Sequence, residues 1–156
     1  MNFPSQYFRA GVGAVIMDQK GLILSLERAD IPNAWQLPQG GLEANEEPLK
    51  AVLREVAEET AILPKYLDLE LAVPELLAYE LPPPARNTKM GRGQVQYWFF
   101  FRFKGMENVI DVRGGGEFRC WRWLAFERLL EKTVNFRKNV YFRLFEHYRS
   151  HFLPGI

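Results

Sequence analysis

Residues 48–60, PLKAVLREVAEET, carry apolar side chains at Leu49, Val52, Leu53 and Val56, three and four positions apart. Glu55, Glu58 and Glu59 stand at i, i+3 and i+4 on the opposite side. This spacing predicts a helix with one buried stripe and one acidic face, and such a helix holds its shape only when another element covers the stripe. Pro48 suits the first turn, where a missing N–H costs no helical hydrogen bond. Ahead of the helix, Gln39-Gly40-Gly41 supplies backbone that can bring N–H groups close to an anion.

Strands are the expected partners. Residues 7–17 and 22–26 are β-like runs separated by the turn formers of 18–21, which predicts a hairpin. A turn-rich loop follows over 30–45. Residues 76–81 and 95–103 read as strands, the second so apolar that it belongs at the centre of a sheet covered on both faces. Between them lies the polar loop LPPPARNTKMGRG. Residues 117–125 predict another strand, 126–132 a short helix and 136–148 a longer one. Gly114-Gly115-Gly116 reads as a tight connection, since neither a Lys-Ser/Thr pair nor a helix start follows it. Strands interleaved with helices, without repeats, predict an α/β architecture: one domain over residues 1–156, a mixed β-sheet sandwiched between α-helices.

One cysteine, Cys120, excludes an internal disulfide, and the first residues, MNFPSQYFRAGVG, lack a charged start followed by an apolar run. A cytoplasmic protein is expected. Nothing approaches the roughly 18 apolar residues of a membrane span, and the run over 98–103 is broken by Arg102. The net charge of +1 hides a division at Ala85: residues 1–85 hold 6 basic and 13 acidic side chains, the remainder 14 and 6. One half could hold cations and the other a polyanion, although a chance distribution of solvated charges fits the division equally well.

Like charges at helical spacing weaken a helix by a few tenths of a kcal/mol per pair, roughly, and a bound cation reverses that cost. An all-oxygen cluster suits Mg²⁺, with Mn²⁺ as substitute, better than zinc. Taken alone, the run reads more simply as a solvated face partnered by Arg54. Its register with the glycines decides the matter: Gly40, Glu46, Arg54, Glu55, Val56, Glu58, Glu59 and Ile62 fall at the spacings of the Nudix hydrolase signature, which the segment resembles. Ala61 is the one departure, standing where that signature has glycine. A helix end needing positive φ there would cost roughly 1 kcal/mol with alanine.

The resemblance implies a Nudix fold and hydrolysis of a nucleoside diphosphate linked to another group. It implies that Gly40 (through its carbonyl), Glu55, Glu58, Glu59 and Glu117 hold the metal. Glu58, Glu55, Glu117 and Arg54 would be catalytic, with Arg54 orienting a glutamate and Glu46 supporting it. Divalent ions at such a site activate a water for attack on phosphorus and neutralise the leaving phosphate. AWQLPQGG, GQVQYWF, EFRCWRW and VNFRKNVY extend the likeness to bacterial RNA pyrophosphohydrolases and the plant-type dinucleoside polyphosphate hydrolases. The implied substrate is a 5′-triphosphorylated RNA end, trimmed to a monophosphate and so opened to decay. The alternative is diadenosine tetraphosphate; a silent binding regulator of the same family would tolerate loss of a ligand, and none is missing. On this likeness Phe136 stacks a base, Val134 frames a purine, and Arg28, Arg137 and Lys138 contact substrate. Arg86, Lys89 and Arg92 are spaced to reach outer phosphates. Gln94 and Gln96 are expected to be framework groups on an exposed face. His147 and His151 have no ligand-like spacing. No DNA or membrane partner is expected, and protein partners are left open.

Overall fold

A computed structural model describes residues 6–153; residues 1–5, the first part of the stretch read for a leader, fall outside the described residues, as do 154–156. Eight strands and three α-helices follow in the order β1 Phe8–Met17, β2 Ile23–Arg28, β3 Trp35–Gln36, β4 Gln39–Gly41, α1 Pro48–Thr60, β5 Leu67–Ala72, β6 Leu77–Glu80, β7 Gly93–Phe103, β8 Phe118–Leu124, α2 Phe126–Lys132 and α3 Lys138–Phe152. Among the described residues no helix is long and apolar enough to cross a membrane.

The expected hairpin forms, but it opens at once. Asp18 takes the backbone N–H groups of Lys20 and Leu22 on its carboxylate, closing the turn. Beyond the single pair Met17↔Ile23, however, β1 and β2 part. β1 instead runs parallel to β7 along its whole length, Phe8↔Gly93 to Met17↔Arg102. β5 and β6 add to β7 antiparallel, and β3 and β8 add to β2. The sheet is therefore mixed.

β7 is central, as its composition requires, and its alternation divides the core. Trp98 and Phe100 face Phe126, Leu129, Tyr141 and Leu144 of α2 and α3, while Phe99, Phe101 and Phe103 join Val52 and Val56 of α1 on the other face. Each such ring, fully buried, contributes about 1.5–3 kcal/mol. On α1 the buried stripe is narrower than its sequence suggests. Val52 and Val56 are buried and Ala51 joins them, but Leu49 is 37% exposed. Strand β5, LDLELA, was not expected, nor were β3 and β4 within the loop of 30–45. The last helix begins at Lys138, after a 3₁₀ turn over Asn135–Arg137 that carries Phe136.

Candidate active site

Where β1 abandons β2, it accepts β4 as its partner, with Gly11↔Gly41, Val12↔Gly40 and Gly13↔Gln39. This pairing fixes the glycine loop beneath α1. A Cβ on Gly40 would lie 2.0 Å from Cδ of Glu55, so nothing larger than glycine permits that carboxylate to approach the loop.

Arg54 organises the acidic face. Its Nε and Nη2 donate to the two carboxylate oxygens of Glu46 at 2.8 and 2.9 Å, Nη2 also donates to the Gly41 carbonyl at 3.0 Å, and Nη1 donates to Glu55 Oε1 at 2.8 Å. Glu58 lies further off, 3.4 Å from Nη1. The planar fork suits these several acceptors, as a lysine would not. Hydrogen bonding from Arg54 holds the Glu46 carboxyl down at about 2.

Glu55, Glu58 and Glu59 do not share one environment. Glu58 is mostly exposed, whereas Glu55 and Glu59 turn inward. Burial raises the Glu55 carboxyl against the opposing pull of Arg54. Glu59 accepts the Gln39 backbone N–H at 2.8 Å, and burial, followed by the charge of Glu117, pushes its carboxyl up to about 9. Because that value exceeds the 4.5 of an ordinary glutamate, the metal-free fold prefers Glu59 protonated. The corresponding stability is complete below about pH 4.5 and is lost as pH rises toward about 9. Glu59→Gln is therefore expected to stabilise the metal-free protein at alkaline pH by about 1–3 kcal/mol. Thermal melts of both proteins across pH check this, and parallel pH profiles would contradict it.

Gly40, Glu55, Glu58, Glu59 and Glu117 border one cavity of about 320 Å³, with Gln39, Val112 and Gly115 in its walls. Glu117 reaches it from the end of the 104–117 connection, beside the start of β8, where its carbonyl accepts the Ala29 N–H at 2.9 Å. The glycine run thus contributes a wall, Gly115, as well as a turn closed by Gly116 at φ 72°. Among the described residues no three carboxylates converge tightly enough to grip an ion as they stand, since Glu55 is turned to Arg54 and Glu59 to Gln39. The donors are nonetheless all oxygen, and crowding a buried carboxylate against two others is a cost that a divalent cation would remove.

The NUDIX domain model matches residues 7–145. The chain belongs to the NUDIX domain family. It is 36% identical over 149 residues to an RNA pyrophosphohydrolase of Cereibacter sphaeroides, covering 92% of each chain. An RNA pyrophosphohydrolase of Xanthomonas oryzae pv. oryzae is 40% identical over 145 residues, 90% of this chain and 70% of that one. The solved E. coli dihydroneopterin triphosphate pyrophosphohydrolase superposes with a TM-score of 0.72 at 22% identity, covering 90% of this chain and 97% of that chain, and shares the α/β Nudix fold.

The irregular position in the Nudix signature behaves as its chemistry demands. Ala61 ends α1 in the left-handed region, φ 64°, with its N–H donating to the Ala57 carbonyl. Ala61→Gly is expected to raise stability by roughly 1 kcal/mol, read as a higher denaturant midpoint at unchanged slope.

The residues expected to contact substrate are more dispersed. Arg28 pairs with Asp30 at 2.8 Å and donates through Nη1 to Gln36 Oε1 at 3.0 Å. Arg137 donates to the same oxygen at 2.9 Å and is itself buried, with its guanidinium 5.0 Å from the Phe136 ring and its Nε without a partner. Phe136 is half-buried, its ring 5.5 Å from that of Tyr79, and it borders a cleft with Phe8, Asn135 and Asn139. The Val134 carbonyl accepts the Arg137 N–H, and Lys138 opens α3 beside it.

In the proline loop Arg92 is engaged with Glu80 and Gln6, and Arg86 with the Leu81 carbonyl; Lys89 donates its N–H to Asn87. Gln94 and Gln96 correct the expected exposed face: they are 6% and 0% exposed. Gln96 Nε2 donates to Gln94 Oε1 and to Gln39 Oε1, while its own Oε1 accepts Trp98 Nε1–H. This chain of amides satisfies polar groups that burial would otherwise leave orphaned. His147, given no role from its spacing, meets Glu75 at 2.9 Å beside Arg143. Sequence reasoning singled out the backbone of Gln39 but missed Gln36 and the Gln39 side chain, both within AWQLPQGG, whose two glutamines in an otherwise apolar and glycine-rich run were the available signal.

Proposed function

We propose that this Nudix hydrolase is an RNA 5′-pyrophosphohydrolase that removes pyrophosphate from triphosphorylated RNA and leaves a 5′-monophosphate. The gathering of Gly40, Glu55, Glu58, Glu59 and Glu117 on one cavity carries the reading for the chemistry. The 36–40% identity to RNA pyrophosphohydrolases supports RNA as the substrate.

The Gly40 carbonyl and the four glutamates would hold Mg²⁺ or Mn²⁺. When bound, the ion supplies a water of lowered pKa and neutralises charge on the departing phosphate. Arg54 keeps Glu55 directed at the loop and braces it through Glu46. Glu58 and Glu117, both reached from solvent, are placed to accept a proton at a carboxylate oxygen. At the RNA end, Phe136 stacks a base, with Val134, Arg137 and Lys138 beside it. Lys89 faces the phosphates, and Arg28 and Arg92 do so after exchanging their present partners Asp30 and Glu80. Stacking of this kind is worth about 1–3 kcal/mol per base and tolerates sequence variation. A cytoplasmic setting, where RNA decays, fits the single thiol of Cys120.

With Mg²⁺ present, pyrophosphate, or two successive phosphates, should appear together with monophosphate-ended RNA, and EDTA should stop the reaction. Diadenosine tetraphosphate offered in competition decides the substrate: a higher kcat/KM for the dinucleotide would reverse this assignment. Binding of the RNA end with no hydrolysis of either compound would make the chain a silent regulator.

A further inference from the structure

Val112 borders the catalytic cavity on one side and a second groove on the other. This groove, about 360 Å³, lies between residues 108–113 and β8. None of the residues given a part in hydrolysis belongs to it.

Its lining combines two guanidiniums with an aromatic ring: Arg113, Arg119 and Trp121. Arg113 is 78% exposed and meets Asp111 at 3.3 Å; Arg119 is 52% exposed and lies 3.9 Å from Glu27. Arg113 and Asp111 are both exposed and hold each other weakly, and Arg119 stands 3.9 Å from a largely buried Glu27, so both guanidiniums can turn to phosphate, which they bind in a bidentate manner. The Trp121 ring is held edge-on to Trp123 at 5.9 Å, and a braced ring loses little freedom on stacking. The two spaces are neighbours: Val112 borders both, and no heavy atom comes within 4 Å of where a Cβ would stand on Gly115 of the cavity wall.

Cations interleaved with an aromatic ring are the means by which proteins hold single-stranded nucleic acid without reading its sequence. A chain leaving the catalytic cavity carries one negative charge per nucleotide, and the groove's own lining sets two arginines against Asp111, with Glu27 behind Arg119.

We propose that this groove binds the body of the substrate RNA, the nucleotides that follow the end being hydrolysed, with Arg113 and Arg119 on phosphates and Trp121 against a base. The proposal rests on the RNA reading of the catalytic cavity. It makes the enzyme sensitive to RNA length as well as to the terminal triphosphate.

The test compares triphosphorylated RNAs of two and of roughly six nucleotides, the longer able to enter the groove, on the native chain and on Arg113→Glu/Arg119→Glu. The native chain should favour the longer RNA by about tenfold in kcat/KM, chiefly through KM, and lose that preference as salt rises. The double reversal should remove the preference while leaving turnover of the dinucleotide within about twofold. Equal turnover of both lengths by the native chain, or a reversal that leaves the longer RNA unaffected, overturns the proposal and gives the groove to another occupant such as a peptide. Equal losses on both lengths overturn it too, since they place the arginines in the chemistry. A native chain that hydrolyses neither RNA but cleaves diadenosine tetraphosphate fails the underlying reading instead, and the proposal with it.

Discussion

Glu58→Gln is expected to lower kcat for pyrophosphate release by roughly 10²–10⁴-fold. Its effect on stability should stay within about 0.5 kcal/mol, as for other exposed substitutions. The two numbers separate because Glu58 is 59% exposed and meets Arg54 only at 3.4 Å. Glutamine keeps the shape, yet removes the charge that an ion or a proton would seek. Single-turnover measurement beside a thermal melt checks both halves. Undiminished turnover would remove Glu58 from the metal site, and a collapsed melting temperature would make it a structural residue.

Arg54→Ala should show the opposite partition, a large structural loss with the activity lost as a result. It leaves Glu55 and the Gly41 carbonyl without the donors that now satisfy them. Hydrogen bonds to charged groups are worth about 1.5–3 kcal/mol each and are not additive in a network, so an overall loss of about 2–3 kcal/mol is expected. Arg54→Lys should recover little of it, because one ammonium cannot span Glu46, Glu55 and Gly41 together. The acid limb of the stability profile reports the same contact. Glu46, held at about 2, contributes stability that is complete above its ordinary value near 4.5 and lost as pH falls toward about 2. In Arg54→Ala that limb should move to higher pH, and a profile identical to the native one would show that the pair contributes nothing.

The acidic helix was legible because its two periodicities coincide: apolar residues for the sheet and carboxylates for the cavity, both at helical spacing. Ala61 was legible only through the likeness to the Nudix signature, which has glycine at the position where the helix ends in the left-handed region. β5 was passed over although Leu67, Leu69 and Leu71 alternate with Asp68 and Glu70 at the period of a strand; Asp and Glu are uncommon in strands, and the partner β7 lies far away in the chain. Side-chain partners were the least legible. The basic surplus of the second half looked free for polyanions, yet Arg92, Arg102, Lys104 and Arg143 meet Glu80, Glu70, Asp68 and Glu75 of the first half. Much of the division at Ala85 is thus cancelled internally by folding. Gln94 and Gln96 looked like surface groups because no local pattern reveals an amide ladder built across β4 and β7.

The parallel ladder of β1 with β7 joins Phe8 to Gly93 and Met17 to Arg102, residues separated by most of the chain. Pairings of such long range are formed slowly, because loop closure must be accomplished before any contact compensates for it. During synthesis the acidic helix therefore emerges well before the strand that completes the sheet beneath it, and a polypeptide released or cleaved ahead of residue 93 lacks the centre of its own core. Truncation from the C-terminal side should consequently abolish folding as a whole instead of yielding a shorter active enzyme.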